Sequence, residues 1–158
     1  MLKYNLRAFR WLWITTVILF ADQICKYIAS VHLRLHEHKF VTSWLDFTLL
    51  HNKGAAFSFL NTASGWQRWF FIIIAFLVSF LLLSWMRHSP KQHIIKPVAA
   101  AMVLGGAIGN LLDRIIHGHV IDFILFHYEN WYFPAFNIAD VAITTGAILL
   151  VLKITFEK

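Results

Sequence analysis

Four stretches of this chain run for about twenty residues each with hardly a charge, the length an α-helix needs to cross the roughly 30 Å hydrocarbon core of a bilayer. They cover 11–29, 69–86, 98–116 and 136–152. In hydrocarbon every backbone N–H and C=O must be satisfied inside the protein, and a helix does this within one segment. The expectation is an all-α membrane protein with four transmembrane helices, forming a single membrane-embedded domain over 1–158. Pro97 suits the first turn of the third helix, and Pro134 breaks the chain just before the fourth. The first window has the basic start (Lys3, Arg7, Arg10) and apolar run of a secretory signal. No small-x-small site follows promptly, and Asp22 and Lys26 interrupt it, so it reads as a retained span.

Composition agrees with this reading. The chain is 59% hydrophobic and 14% charged, against roughly 25% charged in a soluble domain. Too little polar surface is available to coat a water-facing sphere, and a disordered chain or nucleic-acid-binding tail is excluded. The single cysteine, Cys25, excludes a disulfide framework and a cysteine-rich zinc site.

The net charge of +6 is better explained by membrane orientation than by a nucleic-acid partner. With the N-terminus inside, Lys3, Arg7, Arg10, Arg87, Lys91, Lys96, Lys153 and Lys158 fall in the cytoplasmic tails and one short loop, eight of the fourteen basic residues. Both termini are therefore expected in the cytoplasm. Of the eight acids only Glu157 falls inside; Asp22, Glu37, Asp46, Asp113, Asp122, Glu129 and Asp140 lie outside or at the outer ends of spans. Acidic residues steer topology weakly, so their crowding on one side needs another reason. Tryptophans 11, 13, 66, 69, 85 and 131 fall near the predicted interfaces, as in an aromatic belt.

Two outer segments remain. In the first, 32–67, the β-branched and aromatic run 41–50 reads as a strand, Asn52-Lys53-Gly54 as a turn and 55–59 as a returning strand. A small extracytoplasmic β-hairpin or cradle is thus expected between helices 1 and 2. The second, 117–135, is short and aromatic.

Ionisable groups inside spans are costly and are functional candidates by default. Asp22 and Lys26 are four apart and share a helix face; Gln23 extends that patch, and Asp113 lies beside Arg114 with Asn110 one turn back. With cations in reach, these acids read first as polar glue between helices that shapes a site indirectly. Asp122 and Asp140 have no Lys or Arg within four residues. If the third and fourth spans are neighbours, these carboxylates meet at one depth. Two unpaired carboxylates cannot both ionise comfortably and would share a proton, which is the chemistry of an aspartic protease. The alternative is two capping or interfacial acids, Asp140 capping a first turn.

Other chemistries are less well served. There is no HExxH helix and no GxSxG elbow. His32, His36, His38, His117 and His119 could bind metal but read more simply as solvated loop residues. Cys25 reads as a packing residue. Gly105, Gly106, Ala107 and Gly109 form a small-residue surface for close helix packing rather than a phosphate loop. Two rivals from other classes remain open on spacing alone. A proton-coupled carrier would use Asp22 and Asp113 as a relay, and a non-enzymatic assembly subunit would tolerate Asp122→Asn and Asp140→Asn.

Five motifs taken together resemble the lipoprotein signal peptidase (signal peptidase II) family. They are Asp22-Gln23-x-x-Lys26; Asn52-x-Gly54-Ala55-Ala56-Phe57; Gly105-Gly106-Ala107-x-Gly109-Asn110-x-x-Asp113-Arg114; Val120-x-Asp122-Phe123; and Phe136-Asn137-x-Ala139-Asp140. They occur in order over nearly the whole chain. The resemblance implies a bacterial plasma (inner) membrane aspartyl endopeptidase that cuts prolipoproteins just before a diacylglyceryl-modified cysteine. It implies the dyad Asp122 and Asp140, supported by Asp22, Lys26, Asn52, Gly54, Asn110, Asp113, Arg114, Asn137 and Ala139. It also implies no metal or organic cofactor, membrane lipids and lipid-modified prolipoproteins as partners, and inhibition by globomycin-type cyclic peptides. The site would lie near the outer face, where water meets a substrate arriving from lipid. Residues 52–59 are expected to act as a mobile lid with Phe57 as an apolar contact.

Overall fold

The computed structural model describes residues 6–54, 65–88 and 94–156. After a 3₁₀ turn over Leu6–Trp11 come α1 (Leu12–His32), β1 (His38–Thr42), β2 (Leu45–Asn52), α2 (Trp66–His88), α3 (Ile95–Ile116), β3 (Val120–Tyr128), β4 (Trp131–Tyr132) and α4 (Ile138–Thr155). The four α-helices are long and apolar enough to span a membrane, which makes this a multi-pass membrane protein.

Helix α3 is the inner helix and packs against the other three; most of its residues are buried, while α1, α2 and α4 turn wide apolar faces outward. Small residues explain its place. A Cβ on Gly106 would overlap the Ala139 carbonyl oxygen, one on Gly146 would lie 2.8 Å from the Ala99 carbonyl oxygen, and one on Gly105 would lie 3.0 Å from Ile18 Cβ. Lipid tails are as apolar as leucine, so close backbone approach and van der Waals contact hold such helices together.

The outer segments form one antiparallel sheet in the order β1-β2-β3-β4. This corrects one expectation and adds a pairing. A hairpin between helices 1 and 2 turns at Ser43 and Trp44, inside the predicted strand 41–50. The principal partner of β2 is β3, from the second outer segment. The expected returning strand at 55–59 lies outside the described residues. Gly118, with φ +80°, reverses the chain between α3 and β3, a conformation that favours glycine. One extra residue in β2 then shifts the register, from Phe47 opposite Ile124 to Leu50 opposite Asp122. Such a bulge re-aims the side chains beyond it, and here it sets Asn52 opposite Val120. Ala29 of α1 and Leu33, which caps its C-terminus, pack with Leu49, Ile121 and Phe123, seating the sheet on the helices.

Candidate active site

Asp140 is the third residue of α4 and is held by a reciprocal cap. Its backbone N–H donates to Asn137 Oδ1 at 2.9 Å, and its Oδ2 accepts from the Asn137 N–H at 3.3 Å. Capping occupies one carboxylate oxygen; the other, Oδ1, accepts from Asn110 Nδ2 at 2.8 Å. The capping alternative is thus realised, and both carboxylate oxygens of Asp140 accept a hydrogen bond.

Asp122 lies on β3 and is 3% exposed. Its Oδ1 accepts from Asn137 Nδ2 at 2.7 Å and its Oδ2 from Asn52 Nδ2 at 3.1 Å. Burial, reinforced by the Asp140 carboxylate, pushes the Asp122 carboxyl up to about 7; the hydrogen bonds from Asn52 and Asn137 pull the other way and are outweighed. Asn137, fully buried, touches both acids: its backbone and Oδ1 cap Asp140 while its Nδ2 holds Asp122.

Lys26, 2% exposed, lies behind the pair. Its ammonium is 2.7 Å from Asp22 Oδ2, 2.8 Å from Asp113 Oδ2 and 3.0 Å from Asn110 Oδ1. Asp113 thus takes its cation from α1, not from its neighbour Arg114. Each carboxylate also accepts a backbone N–H one residue before a member of the pair: Asp22 from Ala139 at 2.9 Å and Asp113 from Ile121 at 3.2 Å. Gln23 Nε2 ties the two together, donating to Asp113 Oδ1 at 2.9 Å and Asp22 Oδ2 at 3.3 Å. A Cβ on Gly109 would come within 2.7 Å of Asp22 Oδ2, so glycine is what lets α1 reach this close.

Arg114 turns toward the outer segment instead. Its Nη2 donates to the Gly54 carbonyl at 2.8 Å, and its guanidinium lies 4.8 Å from the centre of the Phe71 ring. Gly54 in turn donates its N–H to Asn52 Oδ1 at 2.9 Å, which orients the Asn52 amide toward Asp122. Ala55, Ala56 and Phe57 lie outside the described residues.

Asp122 and Asp140 line one cavity of about 1220 Å³, together with Asn52, Asn110 and Arg114. Its remaining walls are largely apolar and come from α2, α3, α4 and the outer sheet. Among the described residues no three His, Cys, Asp or Glu side chains are grouped to hold a metal ion. His51 and His119 stack with ring centres 3.8 Å apart. Burial lowers both: His51 with help from the charges of His117, His36 and Lys53, and His119, to about 4, with help from those of His51 and His117.

Sequence reasoning missed the strand β3, although Val120–Tyr128 is a β-branched and aromatic run that could have been read as one. It also missed the stacked histidines, for which no local signal exists.

Fold and site together define a multi-pass membrane protein with a paired-carboxylate pocket at the junction of its helices and an outer sheet. Residues 14–156 match signal peptidase (SPase) II, and the chain belongs to that family of proteases. It is 52% identical over 146 residues to the lipoprotein signal peptidase of Acinetobacter baumannii, covering 92% of this chain and 83% of that protein. It is 49% identical over 156 residues to that of Pseudomonas syringae pv. tomato, covering 98% and 90%. Two bacterial membrane enzymes solved by the in meso method share the fold. One has TM-score 0.84 at 31% identity, covering 100% of this chain and 96% of its own. The other has TM-score 0.83 at 28% identity, covering 100% and 99%.

Proposed function

We propose that this chain is an aspartyl endopeptidase that removes the signal peptide from diacylglyceryl-modified prolipoproteins, cutting just before the lipidated cysteine. The carrying observation is the pair Asp122 and Asp140 in one cavity, with Asp122 buried enough to keep a proton near neutrality. Asp140 takes a proton from water, whose oxygen adds to the scissile carbonyl carbon. Asp122 gives its proton to the carbonyl oxygen. Collapse of the tetrahedral intermediate breaks the C–N bond, a proton passes to the departing nitrogen, and the lipidated cysteine is left with a free amine. Asn110, Asn137 and Asn52 hold the two carboxyls in register. Lys26, Asp22 and Asp113 anchor the backbone before each, at Ala139 and Ile121. Arg114 holds the Gly54 carbonyl, and Gly54 in turn orients Asn52 toward Asp122.

The charge distribution supports a bacterial inner-membrane protein with both termini cytoplasmic and the site near the outer face. The whole chain works as one peptidase domain, and globomycin-type cyclic peptides would compete for the cavity. The test is cleavage of a diacylglyceryl prolipoprotein by purified protein. Asp122→Asn and Asp140→Asn should each lose at least about a hundredfold in rate. Asp46→Asn, placed between His38 and His127 on the sheet, should stay active. Undiminished cleavage by either dyad variant defeats the assignment.

A further inference from the structure

On the peptidase reading, the substrate carries an apolar part on each side of the bond to be cut. The signal peptide runs down into the bilayer, and the diacylglyceryl chains start from the cysteine at the outer level. The cavity is walled to match. Ile74, Val78 and Ile143 line it among the helices; Phe126, Trp131, Phe133 and Phe136 line it on the sheet side, with Asp122 and Asp140 in the same cavity. On the sheet side the rings form a continuous series. Trp44 lies 5.6 Å from Phe126, Phe126 5.3 Å from Phe136, Phe136 6.0 Å from Phe133, and Phe133 6.1 Å from Trp131, centre to centre. Their planes meet at 40°, 55°, 82° and 52°, so faces and edges stay available instead of closing into a stack.

The middle of the series is fixed at the chemistry. Phe136 exchanges backbone hydrogen bonds with Ile124 of β3 at 2.9 and 3.0 Å, and the next residue, Asn137, holds Asp122. Both ends are open, with Trp131 62% and Trp44 53% exposed. Pro134 and Ala135 complete this wall of the cavity without adding charge.

We propose that this aromatic track is the subsite for one acyl chain of the lipidated cysteine, an inference that rests on the peptidase reading above. A signal-peptide helix about 10 Å across needs the wider space among the helices, whereas an extended acyl chain follows ring faces and edges at van der Waals distance. In a bilayer the chain is already in apolar surroundings, so the track gains little from the hydrophobic effect. Its contribution is positional: fixed rings hold the chain, and the chain holds the cysteine against the dyad.

The test uses Asp140→Asn protein in nanodiscs of phosphatidylethanolamine and phosphatidylglycerol. It is irradiated with a prolipoprotein whose S-diacylglyceryl chain carries a diazirine and is mapped by mass spectrometry. Labelling of Phe126, Trp131 or Phe133 beyond that left by a phosphatidylethanolamine bearing the same diazirine chain is expected. Labelling confined to α2 and α4, or equal labelling by the two probes, overturns the subsite. In parallel, the ratio of kcat/KM for dipalmitoyl over dihexanoyl substrate should fall about fivefold in the double variant Trp131→Ala, Phe133→Ala. Trp131→Phe, which keeps a ring, should preserve the ratio; an unchanged ratio in the double variant overturns the subsite. If the wild-type protein cleaves neither substrate, the peptidase reading falls and takes the subsite with it. If it cleaves both but the label maps elsewhere, only the subsite falls.

Discussion

Replacing Asp122 by Asn should abolish cleavage and yet make the protein harder to unfold, by an amount that depends on pH. Asp122 accepts hydrogen bonds only from neutral amides, and burial beside Asp140 pushes its carboxyl from an ordinary value near 3.8 up to about 7. The folded protein therefore holds this proton more tightly than the unfolded chain does. The resulting stability is fully present below the unfolded value and is lost as pH rises through about 7. A shift of this size makes the loss about 4 kcal/mol by pH 8, and roughly a third of that by pH 5. Asparagine has no charge to bury. Its NH₂ would meet an amide donor, Asn52 Nδ2 or Asn137 Nδ2, where carboxylate oxygens now accept at 3.1 and 2.7 Å. One such conflict costs about 1–2 kcal/mol. The variant should thus be roughly 2–3 kcal/mol more stable than wild type at pH 8 and nearly equal to it at pH 5. Thermal unfolding of both proteins in detergent micelles, followed by tryptophan fluorescence at the two pH values, measures the difference. An offset of the same size at pH 5 and pH 8 would refute the reasoning, because the effect would then owe nothing to the buried proton.

Three further outcomes are expected. Lys26→Met should destabilise the protein by about 3–5 kcal/mol, because Asp22 and Asp113 would be left buried without a cation; thermal melts should show much of the loss recovered when Asp22→Asn and Asp113→Asn are added. Gly106→Ala should cost about 1–3 kcal/mol by forcing α3 from the Ala139 carbonyl, and cleavage should fall further than stability because Asp140 follows Ala139; full activity would count against the packing argument. Asn137→Asp keeps a capping oxygen but sets a third carboxylate against Asp122, so its pH–rate profile should move to higher pH with a reduced maximum, and an unshifted profile would rule out direct contact between residues 137 and 122.

Much of the fold was legible because it depends on local pattern. Four apolar windows of span length are visible without knowing what they touch, and the cap at Asn137 and Asp140 spans only three residues. The two acids lacking a local cation could be picked out by spacing alone. The hairpin was misread for a related reason. Residues 41–50 have strand composition throughout, but the chain reverses at Ser43 and Trp44, and nothing local marks β2 as the partner of a strand some seventy residues away.

The sequence by itself determined the membrane class, the number of spans, the crowding of acids on one side and the motifs that mark the family. Hydropathy, helical spacing and charge position act within a single segment, so they survive without coordinates. Only the tertiary structure decided that Lys26 serves Asp22 and Asp113 together, that Arg114 reaches the Gly54 carbonyl instead of Asp113, and that a bulge in β2 brings Asn52 to Asp122. The physical reason is that an ion pair or hydrogen bond forms with whatever partner packing brings within about 3 Å. Which segments become neighbours depends on close helix contacts such as Gly106 on Ala139 and on sheet register, and neither is written in any one stretch of the chain.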